Sequence, residues 1–249
     1  RVNAHALVVG ASSGIGLAVA RRLRHDGFRV SGLARRAAPV DAADRSFGCD
    51  LSDPSGSGVE DAIAAAVAAL GEPDVLCFCA GHAAMGATLA VPNEAARRCF
   101  EVNFWGLDRC VRAVLPRMSA RRKGAIVAVL SLAALRAIPH ETYYAAAKAA
   151  SDRYLGCLAH EAARDNVAIK TVYPGYVPTG FFERAGWHGM ERPAVSGSGI
   201  SPEDVANAVA RLVEGPAVRE VVGWRERAIV LADRFLPGAY DWWLKRRDR

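Results

Sequence analysis

A tyrosine and a lysine stand four positions apart in the stretch YYAAAK, as Tyr144 and Lys148. On a helix, positions i and i+4 share one face, so a phenol and an ammonium would lie side by side. Free tyrosine titrates near ~10. A neighbouring cation stabilises the phenolate and lowers that value, which suits proton exchange at neutral pH. Tyr143 points about 100° round the same helix and is the decoy. Ser131 lies thirteen residues before Tyr144, at the end of the apolar run AIVAVLS. Its hydroxyl can donate to a carbonyl oxygen as negative charge grows there. The three side chains together suit acid–base work on a carbonyl or an alcohol.

A second pattern lies in LVVGASSGIGLAVARRL, Leu7 to Leu23. Gly10, Gly14 and Gly16 separate an apolar run from a run with helical spacing. In a strand–turn–helix, the first glycine permits the turn and the second lets main chain approach a pyrophosphate. The third lets the helix pack close to the sheet. The helix N-terminus then faces the phosphates with free N–H groups. Ser12 and Ser13 add hydroxyl donors, and Ile15 sits between the last two glycines. The pattern points to a dinucleotide.

These groups need a scaffold. Strand-like apolar runs at 6–9, 29–34, 74–79, 124–130, 167–173 and 217–222 alternate with helical stretches at 16–26, 54–70, 93–118, 143–164 and 202–214. Near-continuous apolar strands are covered on both faces, as in a parallel sheet. The alternation predicts a doubly wound, mostly parallel α/β sheet with right-handed crossovers, one domain over 1–249. Ligands in such sheets sit beyond the carboxyl ends of the strands, where Ser131 falls. With 51% hydrophobic and 23% charged residues, the chain has globular rather than disordered composition. Its net charge of +6 is dispersed, and no nucleic-acid recognition motif accompanies it. Six cysteines without CxxC spacing read as thiols of a reducing, cytoplasmic compartment. No apolar run reaches membrane-spanning length, and no His/Cys/Asp cluster has metal-ligand spacing.

With the glycine loop, Ser131, Tyr144 and Lys148 in this order, the chain resembles the short-chain dehydrogenase/reductase family over nearly all its length. The resemblance implies a Rossmann-type fold and an oxidoreductase acting on a carbonyl or CH–OH group. It makes Tyr144 the general acid for reduction, and has Lys148 depress the Tyr144 pKa and bind the nicotinamide ribose. Ser131 would polarise the carbonyl, and Asn103 in FEVNFWG would hold a water behind Lys148. Cofactor contacts would also come from Asp50 and Leu51 in CDLSD, Ala80 and Gly81 in CFCAG, and Pro174, Gly175, Val177 and Thr179 in YPGYVPTG. Two departures stand out. Cys79 replaces the family's asparagine before Ala80, and Val9 replaces its threonine before Gly10.

An acid after the second strand would bind the ribose 2′-hydroxyl of NAD, whereas a basic residue accommodates the 2′-phosphate of NADP. Arg35 and Arg36 follow FRVSGLA. NADP(H) is therefore favoured over NAD(H), and reduction of a ketone or aldehyde is the expected direction. Imine reduction and alcohol oxidation remain alternatives on the same site, and a non-catalytic NADP-binding regulator is the alternative of another class. The loop at about 180–200, with Phe181, Phe182, Trp187 and Met190, should line an apolar substrate pocket. His82 and His140 read as pocket-wall or surface residues. The aromatic and basic tail, about 231–249, suits docking on the body or a neighbouring subunit better than membrane contact. Small residues along 143–164 permit close helix approach, and the resemblance implies a homodimer or homotetramer.

Overall fold

The computed structural model describes residues 3–191, 199–236, 238 and 246. Its strands are β1 (His5–Val9), β2 (Arg29–Ala34), β3 (Arg45–Gly48), β4 (Val75–Phe78), β5 (Ala84–Gly86), β6 (Gly124–Val129), β7 (Val167–Tyr173), β8 (Gly186–His188) and β9 (Arg219–Val221). Seven of them form one sheet in the order β3-β2-β1-β4-β6-β7-β9, with every pair parallel. The order reverses between β1 and β4, which opens a crevice at their carboxyl ends. β1 and β4 are buried along their whole lengths, as strands covered on both faces must be.

Helices α1 (Gly14–His25) and α7 (Pro202–Glu214) cover one face, with Val19, Ala20 and Leu23 joining Val205, Val209 and Leu212 in one core. The other face lies under α2 (Ser57–Leu70), α4 (Gly106–Arg121) and α5 (Thr142–Ala162), which bring Ile63, Val111 and Leu155 to a second core. α7 starts at a capping box: the Ser201 hydroxyl accepts from Asp204 N at 3.1 Å and the Asp204 carboxylate accepts from Ser201 N at 2.8 Å.

The single helix expected over 93–118 is broken. α3 (Asn93–Phe100) runs into a π-helical turn, Glu101–Trp105, before α4 begins. The wider turn rotates the face of α3 against that of α4. Three short strands carry too little periodicity to read in advance. β3 is an edge strand, exposed at three of its four residues. β5 and β8 pair with each other across about a hundred residues of chain, as a separate two-stranded parallel sheet. After β9 comes α8 (Trp224–Phe235), with Trp224, Leu231 and Phe235 exposed. The rest of the tail, including Trp242 and Trp243, lies outside the described residues, as do positions 192–198 of the substrate loop.

One buried cation closes this framework. Lys170, in the middle of β7, donates to the carbonyls of Leu212 at 2.6 Å and Gly215 at 2.7 Å, capping the end of α7. Helix-end carbonyls have no partner inside the helix, so a buried end needs such a donor. Lys170→Met should cost about 1.5–3 kcal/mol. A lower urea midpoint with unchanged slope would register it, whereas an unchanged midpoint would mean that the carbonyls find other partners.

Candidate active site

The crevice holds a cavity of about 540 Å³ at the carboxyl ends of β1, β2, β4, β6 and β7. Its base is the turn from β1 into α1. A Cβ on Gly16 would lie 2.2 Å from the Gly10 carbonyl oxygen, and one on Gly10 would lie 2.8 Å from Ala80 N. Gly10 also has φ +89° and Gly14 φ +55°, the left-handed region. Main chain therefore closes on main chain here. Gly10, Ser12, Ser13, Gly14, Ile15 and Gly16 all face the cavity. Thr179 lies opposite, its Cβ 3.0 Å from where a Gly14 Cβ would be.

Ser131, Tyr144 and Lys148 meet in the same wall, although the sheet and α5 supply them separately. Ser131 follows β6, and its Oγ accepts from Ala133 N at 3.1 Å. Tyr144 and Lys148 are both buried on α5. Lys148 Nζ donates to the Val129 carbonyl at 3.2 Å and stands 5.8 Å from the Tyr144 ring centroid. Burial lowers the lysine to about 8, against smaller opposing effects of Cys99 and Cys79. The tyrosine corrects the sequence expectation. Burial pushes its phenol up, the Glu141 charge adds to that, and only a hydrogen bond with Ser131 works downward. Desolvation sets the direction, and the Lys148 ammonium, turned to a backbone carbonyl, makes no hydrogen bond to the phenol. The phenol is held protonated at neutral pH.

Asn103 lies in the π-helical turn, buried behind Gly81 rather than in the cavity wall. Its Nδ2 donates to the carbonyls of His82 at 2.6 Å and Cys99 at 2.8 Å. Its Oδ1 is buried without a hydrogen-bond partner, and a Cβ on Gly81 would approach it to 3.3 Å. The Asn103 carbonyl accepts from Ser151 Oγ at 3.2 Å. Cys79 lies under the glycine turn, and burial pushes its thiol up to about 12. Cys77 and Cys99 are raised as well, so these thiols stay protonated and pack as apolar groups.

At the other end, Arg35, Arg36, Asp50 and Leu51 line the cavity, and Ala80, Gly81, Pro174, Gly175 and Val177 complete the expected set. Burial alone would raise the Asp50 carboxyl. Bonds from Ser52 N at 2.9 Å and Ser52 Oγ at 2.7 Å, with Arg35 and Arg98 nearby, bring it below the usual range. Phe181 and Phe182 reach the cavity from α6 (Phe181–Arg184), whereas Trp187 packs in the apolar cluster beside it. The rings of Tyr144 and Phe181 are 5.7 Å apart, those of Phe181 and Phe182 5.3 Å, and those of Phe182 and Tyr176 4.9 Å. His82 forms part of the wall as expected. Arg98 and Arg184 also line it and were not foreseen. Arg98 stands four residues before Val102, another lining residue, so the two share a helix face, but a charged residue on a long helix reads equally well as solvent-facing. Arg184 carries no periodic signal. Glu141, at the N-cap of α5, was missed as well.

The residues fit a dinucleotide, with a glycine cradle at one end and cations along the wall. Comparison with known proteins agrees. The profile of the short chain dehydrogenase family matches residues 4–187. The chain belongs to this family. A putative ketoacyl reductase of Streptomyces coelicolor is 33% identical over 245 residues, covering 87% of this chain and 92% of the relative. A crystal structure of a short-chain dehydrogenase from Streptomyces avermitilis superposes with TM-score 0.83 at 27% identity, covering 98% of both chains. A short chain dehydrogenase from Burkholderia cenocepacia in complex with NADP gives 0.81 at 25% identity, also with 98% of each chain covered. Among the described residues no helix is long and apolar enough to cross a membrane.

Glu141 gives this short-chain dehydrogenase a pH test. Burial raises its carboxyl to about 7, with Arg136 opposing. Once ionised, it disfavours a phenolate on Tyr144. Glu141→Gln removes that charge, so phenolate should form at lower pH. The alkaline-activated limb of alcohol oxidation should move down by on the order of one pH unit. A log kcat/KM profile measures the shift, and an unmoved limb would separate Glu141 from the titration.

Proposed function

We propose that the chain catalyses NADPH-dependent reduction of a ketone or aldehyde to an alcohol. The observation that carries this reading is the meeting of Ser131, Tyr144 and Lys148 at one end of a cavity whose other end presents Arg35 and Arg36. A bound nicotinamide supplies hydride chemistry. The glycine loop, Asp50, Leu51, Ala80, Gly81 and the 174–179 segment would hold that cofactor, with the Arg35 guanidinium suited to paired bonds with a 2′-phosphate. The protein's own part is proton transfer and polarisation. Tyr144 holds its proton at Oη until an alkoxide develops, and then donates it. Ser131 donates to the same oxygen as charge grows. Lys148 is the nearby cation that favours the tyrosinate left behind, and the resemblance gives it a bond to the nicotinamide ribose. Asn103 would support a water behind Lys148.

Tilted and edge-to-face aromatic rings with an apolar surround favour an apolar or aromatic substrate over a charged one. The name of the Streptomyces coelicolor relative supports carbonyl reduction, and the NADP of the Burkholderia structure supports the cofactor. Run in reverse, the same groups would oxidise an alcohol. Free thiols in the described chain fit a cytoplasmic enzyme. A homo-oligomer follows the family's habit.

Titration of cofactor fluorescence tests the reading. NADPH should bind more tightly than NADH, and Arg35→Ala should weaken NADPH by roughly 10- to 100-fold while leaving NADH nearly unchanged. Tyr144→Phe should keep cofactor affinity and lose about 10²–10⁴ in kcat for carbonyl reduction. Equal affinity for the two cofactors would defeat the Arg35 assignment, and an active phenylalanine variant would defeat the acid.

A further inference from the structure

Eleven arginines of the described chain are tied to carboxylates, and none of the eleven lines the cavity. Arg21 pairs with Asp41, Arg22 with Asp26, Arg109 with Glu101 and Arg117 with Glu72. The four that line the cavity, Arg35, Arg36, Arg98 and Arg184, make no such pair among the described residues. Asp50 is the one carboxylate in the described cavity wall, and one of its oxygens already accepts two bonds from Ser52. The wall is therefore strongly cationic and lacks its counter-charge. Three of the four arginines gather at one end: Arg35 and Arg36 follow β2, and both Arg35 and Arg98 act on Asp50 and His82.

Arg184 stands apart from them. It ends α6, on the substrate loop. Its Nη2 donates to the Thr179 carbonyl at 3.4 Å, the long limit of a hydrogen bond. Thr179 in turn sits against Gly14, at the first residue of α1. Arg184 and Gly14, the first residue of a twelve-residue helix, thus both border Thr179 and line the same cavity, and the exposed guanidinium makes one long bond to a neutral partner. A helix start and an unpaired guanidinium facing one space select an anion.

We propose that Arg184 binds the pyrophosphate of the dinucleotide and so ties the substrate loop to the bound cofactor. The inference rests on the dinucleotide reading above. Because NADPH and NADH share the pyrophosphate, the contact strengthens both alike and leaves selectivity to the other end of the cavity. It also connects cofactor arrival to the position of Phe181 and Phe182, which share α6 with Arg184.

The test is fluorescence titration of NADPH and NADH with the full chain and three variants. Arg184→Ala should weaken both cofactors by about tenfold, with their ratio unchanged, and Arg184→Lys should recover part of the loss. Arg225→Ala, an exposed arginine on α8, controls for net charge and should change neither. In hydrogen exchange, NADH should protect residues 180–190 in the wild type and not in Arg184→Ala. Wild-type affinity for both cofactors in Arg184→Ala would overturn the proposal. So would a loss confined to NADPH, which would place Arg184 at the 2′-phosphate. A wild type that binds neither cofactor overturns the dinucleotide reading itself, before any variant is made.

Discussion

The approach of Gly16 to the Gly10 carbonyl is the contact on which the site depends. No side chain fits there, and only a hydrogen lies between the start of α1 and the turn that leaves β1. A methyl group would push the helix off the sheet and open the cradle, because backbone atoms cannot swing aside as a flexible side chain can. The same closeness continues upward, where Ala80 lies over Gly10 and Cys79 lies against Gly16. A bulkier polar residue at position 79 would have to find its partner within that crowded layer. A small protonated thiol fills the place without asking for a hydrogen bond.

Burial of Tyr144 and Lys148 has two effects in opposite senses. It keeps the phenol protonated, and it makes the ammonium easier to neutralise. An acid that is too weak transfers its proton reluctantly, and a cation near its own titration point gives less help than a fixed charge. Both groups are set by desolvation in the structure as it stands. A ligand that fills the cavity with polar and charged atoms changes that environment, so the working acidity of Tyr144 belongs to the filled site rather than to the chain alone.

Much of this arrangement was legible in the sequence, because it rests on local patterns. The glycine spacing, the i,i+4 pair and the apolar runs each report on a few neighbouring residues, and the sheet brings them together by a topology that strand–helix alternation already implies. What escaped was non-local or irregular. The π-helical turn at 101–105 breaks the single helix expected over 93–118. β5 and β8 are three residues each and pair at long range. The acidity of Tyr144 was misjudged in direction because spacing places a lysine nearby but does not say that Nζ turns to Val129 or how dry the site is.

The small β5–β8 sheet has a consequence for how this enzyme family member can change. Three loops meet there through main-chain bonds: Gly86 N donates to the His140 carbonyl, Ala87 N to that of His188, and Gly186 N to that of Ala83. A junction stitched by backbone keeps its shape largely independent of the side chains on the loops it joins. Phe181 and Phe182, which face the cavity just ahead of β8, can be exchanged without unfastening those loops. Recognition of new molecules can then drift by ordinary point substitutions, while the machinery beneath is left as it was.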